Sequence, residues 1–484
     1  MSQNSQTYKI CQQELQEEWY IQGFNGLPIF LSHVGVSAAR IKKLLGYEYN
    51  KMFLDVRGDY AEFGYLWSDL NKIWQIVKKK IAIDPNYIKK VKKKYSTRIA
   101  GHNKTLAEIT AEKLKKISDQ KLIARFKEMA DLCTDSVNVS HIIEAVSVGL
   151  EKDFSAKLRQ TIKDKSKYTK YSTILTTPTK PSFFAREMME LAKIASLKST
   201  EQSVALIEHT QKYFWLANSY AKICELPVSY FARKLKSLVK NKKKIWNDIS
   251  KEKPALIEQL NLSQSLRRDI ELIDFTTIWQ DERKAIILKT IGYFNRVMKE
   301  ISRRTEIPLG RLHNMGLEEV KNIKEISDLK KLTDELIIRD EGVFFLMMGM
   351  KTHTLSGQNY QNINKLRGGL KQQEESLDRE LHGSVAMTGT AVGRAVICKG
   401  LSSLAKVEKG DIIVASMTRP EFMPALKKAA AIVTDEGGIT CHAAIVAREL
   451  NIPTVIGTKK ATKVFRDGMQ IEVRANHGVV RELK

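Results

Sequence analysis

The chain changes texture at Gly383, and that change limits its fold more than any other feature. Beyond it come short β-branched runs separated by glycines: GRAVIC (Gly393–Cys398), DIIVAS (Asp411–Ser416), AAIVTD (Ala430–Asp435), TVIG (Thr454–Gly457) and MQIEVRA (Met469–Ala475). Each reads as a strand. Two helical stretches interrupt them, PEFMPALKKA with Pro420 in its first turn, and CHAAIVAREL. Before Gly383 the rhythm is helical. In Ser203–Leu226 the residues Ile207, Phe214, Ala217, Ala221 and Cys224 recur on one helical face, and Pro227 closes the run. Glu282–Arg304 and Asp328–Ile337 repeat the pattern. The expected fold class is α+β and multidomain: a large N-terminal all-α region over residues 1–380, then a compact C-terminal α/β domain over 383–484. TTPTKPS (Thr176–Ser182) is a loop and a candidate internal boundary. RGG (Arg367–Gly369) is a second break, followed by a charged helix in KQQEESLDREL.

Charge narrows the partners. The 484 residues carry a formal +25, from 80 Lys plus Arg against 55 Asp plus Glu, while Gly383–Lys484 holds only 15 basic and 9 acidic residues. The excess therefore belongs mainly to the helical region, in runs such as Lys78–Lys80, Lys89–Lys94 and Lys234–Lys244. Such runs suit solvated helix faces. Nucleic acid is the less favoured partner, because no RRM, KH or zinc-finger signature is present and the runs lack interleaved aromatics for base stacking. The N-terminus has no charged lead followed by an apolar stretch, and the longest apolar run, Gly342–Met350, is too short to span a bilayer. Five scattered cysteines with no CxxC pair support neither a disulfide frame nor a thiolate metal site. The expectation is a soluble, cytoplasmic protein with no membrane partner.

The string TDEGGITCHAAIVAREL (Thr434–Leu450) concentrates the chemistry. Gly437 and Gly438 permit a tight strand-to-helix turn and close approach of an anion to the main chain. Thr440 suits an N-cap, which puts His442 in the first helical turn. There the unpaired N–H groups and the helix dipole favour an anion and disfavour an imidazolium. A neutral imidazole can attack phosphorus with its free lone pair, and needs no base to do so. A lone histidine at a helix start also serves as a cap, so on position alone both roles stay open. Arg448 lies six residues on, about 9 Å along the helix and roughly 240° around it, so docking or local structure suits it better than clasping a phosphate on His442. Arg419, in TRPEFMP, either faces a phosphate or pairs with Glu421. Cys441 carries no assigned thiol chemistry, and His382 and His477, in glycine-adjacent turns, read as structural. Tyr213, Trp215 and Tyr220 fall at helical spacing and read as core rather than as a substrate cage.

The same string resembles, position by position, the signature of the phosphohistidine swivelling domain of PEP-utilising enzymes: Gly437, Gly438, Thr440, His442, Ala443, Ala444, Ile445, Val446, Ala447 and Arg448. The likeness extends over roughly Gly383–Lys484, through KGDIIVASMTRPEFMPALKKAAAIVTDEGG upstream and ELNIPTVIGTKKATKVFRDGMQIEV downstream. It resembles the domain in PEP synthase, pyruvate phosphate dikinase and rifampin phosphotransferase. The resemblance implies that His442 is phosphorylated, in those enzymes from ATP on an ATP-grasp domain, and that the domain then swings to a second site. It gives Thr440, Gly437 and Gly438 supporting or phosphate-contacting roles. No glycine-rich nucleotide segment of ATP-grasp character and no PEP-binding barrel is legible, and no carboxylate cluster reads as a metal site. The expectation is that this chain binds no cofactor itself, ATP and Mg2+ being carried by a separate ATP-grasp partner and the acceptor being a small molecule such as pyruvate. Leu175–Glu187, His209–Tyr220 and Phe294–Val320 resemble, more diffusely, the helical segments that precede the carrier domain in such enzymes; in rifampin phosphotransferase such a region forms the acceptor-binding part. Two alternatives remain: a phosphohistidine-regulated scaffold, and a basic nucleic-acid-binding protein with an idle carrier domain.

Overall fold

The computed structural model describes residues 3–32, 34–240, 249–349, 351–372, 380–438 and 441–483. The chain forms two compact units, one of residues 1–149 with 290–377, the other of residues 150–289 with 378–484. The candidate boundary at 176–182 falls within the second unit, between the Lys165–Thr176 and Phe183–Ile194 helices. No described helix is long and apolar enough to cross a membrane.

The first unit is mainly helical, as the rhythm predicts, but it also holds a five-stranded antiparallel sheet. Its strands are β1 (Trp19–Asn25), β2 (Lys51–Arg57), β3 (Tyr60–Leu66), β4 (Val343–Met348) and β5 (Lys351–Leu355), in the order β1-β3-β2-β4-β5. The all-α expectation for this region is corrected here. Arg57 pairs with Tyr60 across a two-residue Gly58-Asp59 turn, with Gly58 at φ +59°, a hairpin signal that helical counting passes over. The apolar run around 342–350 supplies β4, whose Phe344 and Leu346 pack with Phe53 of β2. Nor does RGG break the chain: Arg367 lies inside the Gly357–Gln372 helix. Its buried guanidinium pairs with Asp55 and Glu62 and lies 4.6 Å from the Phe53 ring centre. These contacts hold the segment helical despite the glycines. Residues 373–379 of the expected charged helix lie outside the described residues, and Glu380–His382 is a strand.

In the second unit the helix expected over Ser203–Leu226 stops at Tyr213. Beyond it, polar side chains take over the backbone hydrogen bonds, a competition typical of Asn and Ser. Asn218 accepts from the Cys224 N–H at 2.9 Å and donates to the Leu288 carbonyl at 3.0 Å, while Ser219 Oγ accepts from Ala221 and Lys222. Expected helices at Glu282–Arg304 and Asp328–Ile337 fall within the Gln264–Thr305 helix and on the Ile326–Lys331 and Thr333–Ile338 helices.

The C-terminal part carries every strand read from the sequence. Its sheet contains β6 (Glu380–His382), β7 (Ser384–Met387), β8 (Thr390–Cys398), β9 (Ile412–Ala415), β10 (Ala431–Thr434), β11 (Thr454–Ile456), β12 (Gln470–Arg474) and β13 (Val479–Glu482), ordered β6-β13-β12-β8-β9-β10-β11-β7. The middle strands β8 to β11 run parallel and the flanking pairs antiparallel. Alternate residues feed opposite cores: Ile412, Val414 and Val433 pack with Phe465 and Val473, whereas Ile413, Ala415 and Ile432 pack with Phe422, Leu426 and Val446. Burial on both faces explains why these strands are continuous apolar runs.

Arg367→Ala takes the shared cation from two buried carboxylates, leaving Asp55 with Arg57 and Tyr360, and loss of one partner of such a cluster costs about 3–5 kcal/mol. A urea unfolding midpoint unchanged from that of the native chain contradicts this account of the helix.

Candidate active site

Adjacent parallel strands β9 and β10 place Ala415 opposite Thr434, so their following loops leave the sheet at one edge. Pairing continues past the strands, Asp435 N–H donating to the Ala415 carbonyl at 3.0 Å and Glu436 N–H to Ser416 at 2.9 Å. The carboxyl edge of a parallel sheet is where ligands are commonly met. The first loop carries the buried Thr418 and Arg419; the second carries Gly437, at φ +104°, and Gly438. Gly437 holds a conformation that a side chain disfavours. Cys441, extended, is the N-cap of the His442–Leu450 helix and makes no side-chain capping bond, so His442 is the first helical residue. The expected cap, Thr440, lies outside the described residues.

Across the two loops, Thr418 Oγ1 lies 3.0 Å from His442 Nδ1. Nε2 is shielded from solvent and has no hydrogen-bond partner among the described residues. A buried N–H without an acceptor is the costlier way to leave an atom unpaired, so the favoured tautomer has Nδ1–H donating to Thr418 and a bare lone pair on Nε2. Burial holds the imidazole pKa well below its ordinary value near 6.5, and the charges of Lys284 and Arg419 push it the same way. The ring is therefore neutral at neutral pH, with the Nε2 lone pair unengaged among the described residues.

Residues 407–478 match the family model of the PEP-utilising enzyme mobile domain. That segment belongs to this family. Similar proteins include the "Probable phosphoenolpyruvate synthase" of Archaeoglobus fulgidus, 37% identical over 185 residues, which are 37% of this chain and 24% of that protein. The "Phosphoenolpyruvate synthase" of Pyrococcus furiosus is 42% identical over 144 residues, 29% of this chain and 16% of its own length. That of Aeropyrum pernix is 52% identical over 101 residues, 21% of this chain and 12% of its own. The chain thus spans a quarter or less of the length of these relatives.

Several groups around the mobile domain's histidine carry no signal in the sequence. Lys284, on the Gln264–Thr305 helix, has its ammonium pushed down to about 7, first by burial and then by Arg419; Glu421 opposes the shift. Both Glu421 oxygens are shielded and have no hydrogen-bond partner among the described residues, and burial raises its carboxyl. Unsatisfied buried polar groups are rare and point to strain or function. Among the described residues no hydrogen bond joins Arg419 to Glu421, although the charge of Arg419 pulls the Glu421 carboxyl down. Its guanidinium lies 5.1 Å from the Tyr220 ring centre and within 3.7 Å of Met417 Sδ. Tyr213 and Trp215 are core as expected, whereas Tyr220 is half-buried and serves Arg419 as a platform.

Gly438 is explained by Glu151 of the Ile142–Thr161 helix, whose carboxylate fills the space a β-carbon would need. Arg448 is engaged at β7, its Nε donating to the Ala386 carbonyl at 3.3 Å, while burial lowers its pKa to about 10. Burial pushes the Cys441 thiol up to about 11. His382 lies near Glu380 at 3.5 Å, and His477 ends a short turn before Gly478 at φ +67°. No group of three or more His, Cys, Asp or Glu among the described residues could hold a metal ion.

Because the folded imidazole resists protonation, the unfolded chain binds the extra proton as pH falls through 6.5, and stability drops there. His442→Gln removes that contribution. In a nitrogen-detected titration the His442 ring stays neutral at pH 6, and Lys284→Met moves its pKa upward toward 6.5; a ring titrating at 6.5 in the native chain refutes the assignment.

Proposed function

We propose that the chain is a phosphotransferase component in which His442 Nε2 carries a phosphoryl group from ATP on a separate ATP-grasp partner to a small acceptor such as pyruvate. The observation that supports this most is the neutral ring whose Nδ1 is engaged by Thr418 while Nε2 keeps its lone pair. The mobile-domain match and the phosphoenolpyruvate synthase relatives support the same class of chemistry. ATP and its Mg2+ belong to the partner in this reading, and the site of action is the cytoplasm.

The proton count follows from the tautomer. The Nε2 pair attacks phosphorus, the bond from phosphorus to the donor oxygen breaks, and that oxygen keeps the electron pair. The ring becomes an N-phosphorylated imidazolium, still holding its Nδ1 proton toward Thr418. On discharge an acceptor oxygen attacks, the N–P bond breaks, and its pair returns to Nε2, which restores the neutral ring. Thr418 thus orients the ring and keeps it a competent leaving group. Lys284 and Arg419, whose charges bear on the ring, oppose the negative charge of the group in transit. Arg448 and the glycine turn support the geometry of the loop, and Thr440 is assigned a supporting contact. The runner-up, a phosphohistidine-regulated scaffold, draws on the shielding of Nε2, which couples phosphorylation to a change in what covers the ring.

Potassium phosphoramidate, a small phosphoryl donor to neutral imidazoles, tests the carrier role without the partner. Peptide mapping under alkaline handling finds one acid-labile phosphoryl group on His442, absent in His442→Ala. Thr418→Val slows its formation about two- to tenfold, the worth of one hydrogen bond. Phosphorylation confined to other histidines rules the reading out.

A further inference from the structure

Among the described residues, an acidic side chain of the helical segment, Glu151, rests directly on the mobile domain's histidine turn. Glu151 lies in the part of the Ile142–Thr161 helix that belongs to the second unit. Its two carboxylate oxygens rest against the Cα of Gly438 so closely that any other residue there would collide with them. Four residues after Gly438 the His442–Leu450 helix begins, and its first N–H groups and positive dipole end attract an anion. The charge of Glu151 is felt at both Cys441, the N-cap, and Arg448, in the helix's last turn. A carboxylate of this chain therefore stands at the turn where a phosphoryl group on the mobile domain would find main-chain donors.

We propose that Glu151 is a positioning residue, a latch that docks the unphosphorylated mobile domain on the helical segment and keeps His442 Nε2 covered. The inference rests on the carrier reading above. The carboxylate and a phosphoryl dianion compete for one electropositive turn, and they repel each other. Phosphorylation of His442 therefore releases the latch, and loss of the phosphoryl group lets it close again. Glu151 touches no reacting atom. Its effect is on how long the turn stays docked.

Diethyl pyrocarbonate, which acylates accessible neutral imidazoles, reads the latch on the full chain independently of phosphoryl transfer. In Glu151→Gln the side chain keeps its size and loses its charge. His442 is expected to be acylated about tenfold faster or more, the worth of one charge-assisted hydrogen bond, with the other eight histidines reacting as in the native chain. Glu151→Asp restores part of the protection, and Glu151→Ala stands in if the glutamine variant does not fold. Inorganic phosphate, competing for the turn, speeds acylation of His442 in the native chain and not in Glu151→Gln. A folded neutral variant whose His442 reacts at the native rate overturns the latch. If His442 is acylated yet takes no phosphoryl group from phosphoramidate in any variant, the carrier reading fails and the docking contact stands by itself.

Discussion

Everything at the site depends on one hydrogen bond, between the Thr418 hydroxyl and Nδ1 of His442. It joins two loops that are far apart along the chain and adjacent in space only because β9 and β10 are parallel neighbours in register. It also decides which nitrogen is free. Without that bond the ring could present either nitrogen, and the burial that lowers its basicity would have no direction. The apolar layers on both faces of β8 to β11 matter because they fix the two loop exits relative to each other.

Charge around the ring is arranged asymmetrically. Cations from the helical segment and from the β9 loop, Lys284 and Arg419, bear on the imidazole, and an anion, Glu151, rests on the glycine turn beside it. The cations keep the ring unprotonated and favour a phosphoryl group once it is in place. The anion opposes the same group at the main chain. In the proposed carrier role, such opposed fields favour release of the phosphoryl group as well as its capture. The buried Lys284 and Glu421 show what this costs, since neither ionises as it would in water.

Much of the C-terminal fold was legible because its signals are local. The five strands announced themselves as β-branched runs, and the GGxTxH string located the strand-to-helix turn. The helical rhythm earlier in the chain was equally plain, yet it concealed the antiparallel sheet, whose partners lie nearly 300 residues apart in β2 and β4. Arg367 was misread for the same reason, since the Asp55 and Glu62 that hold it are remote in sequence. At the site, His442 and its glycines were legible. Thr418 was within reach, standing beside Arg419 at the exit of a recognised strand, but its partnership required the strand order. Lys284 and Glu151 sit on helices that read as ordinary solvated surfaces, and only tertiary packing singles them out.

The thiol next to His442 bears on how such a site ages. Oxidants attack the thiolate, and Cys441, with its pKa raised to about 11, holds almost none at neutral pH. Cys11 and Cys398 are raised to about 12 by the same burial. Peroxide that would disable a redox-sensing cysteine passes these by, so the histidine turn tolerates oxidising conditions that a lower-pKa neighbour would register.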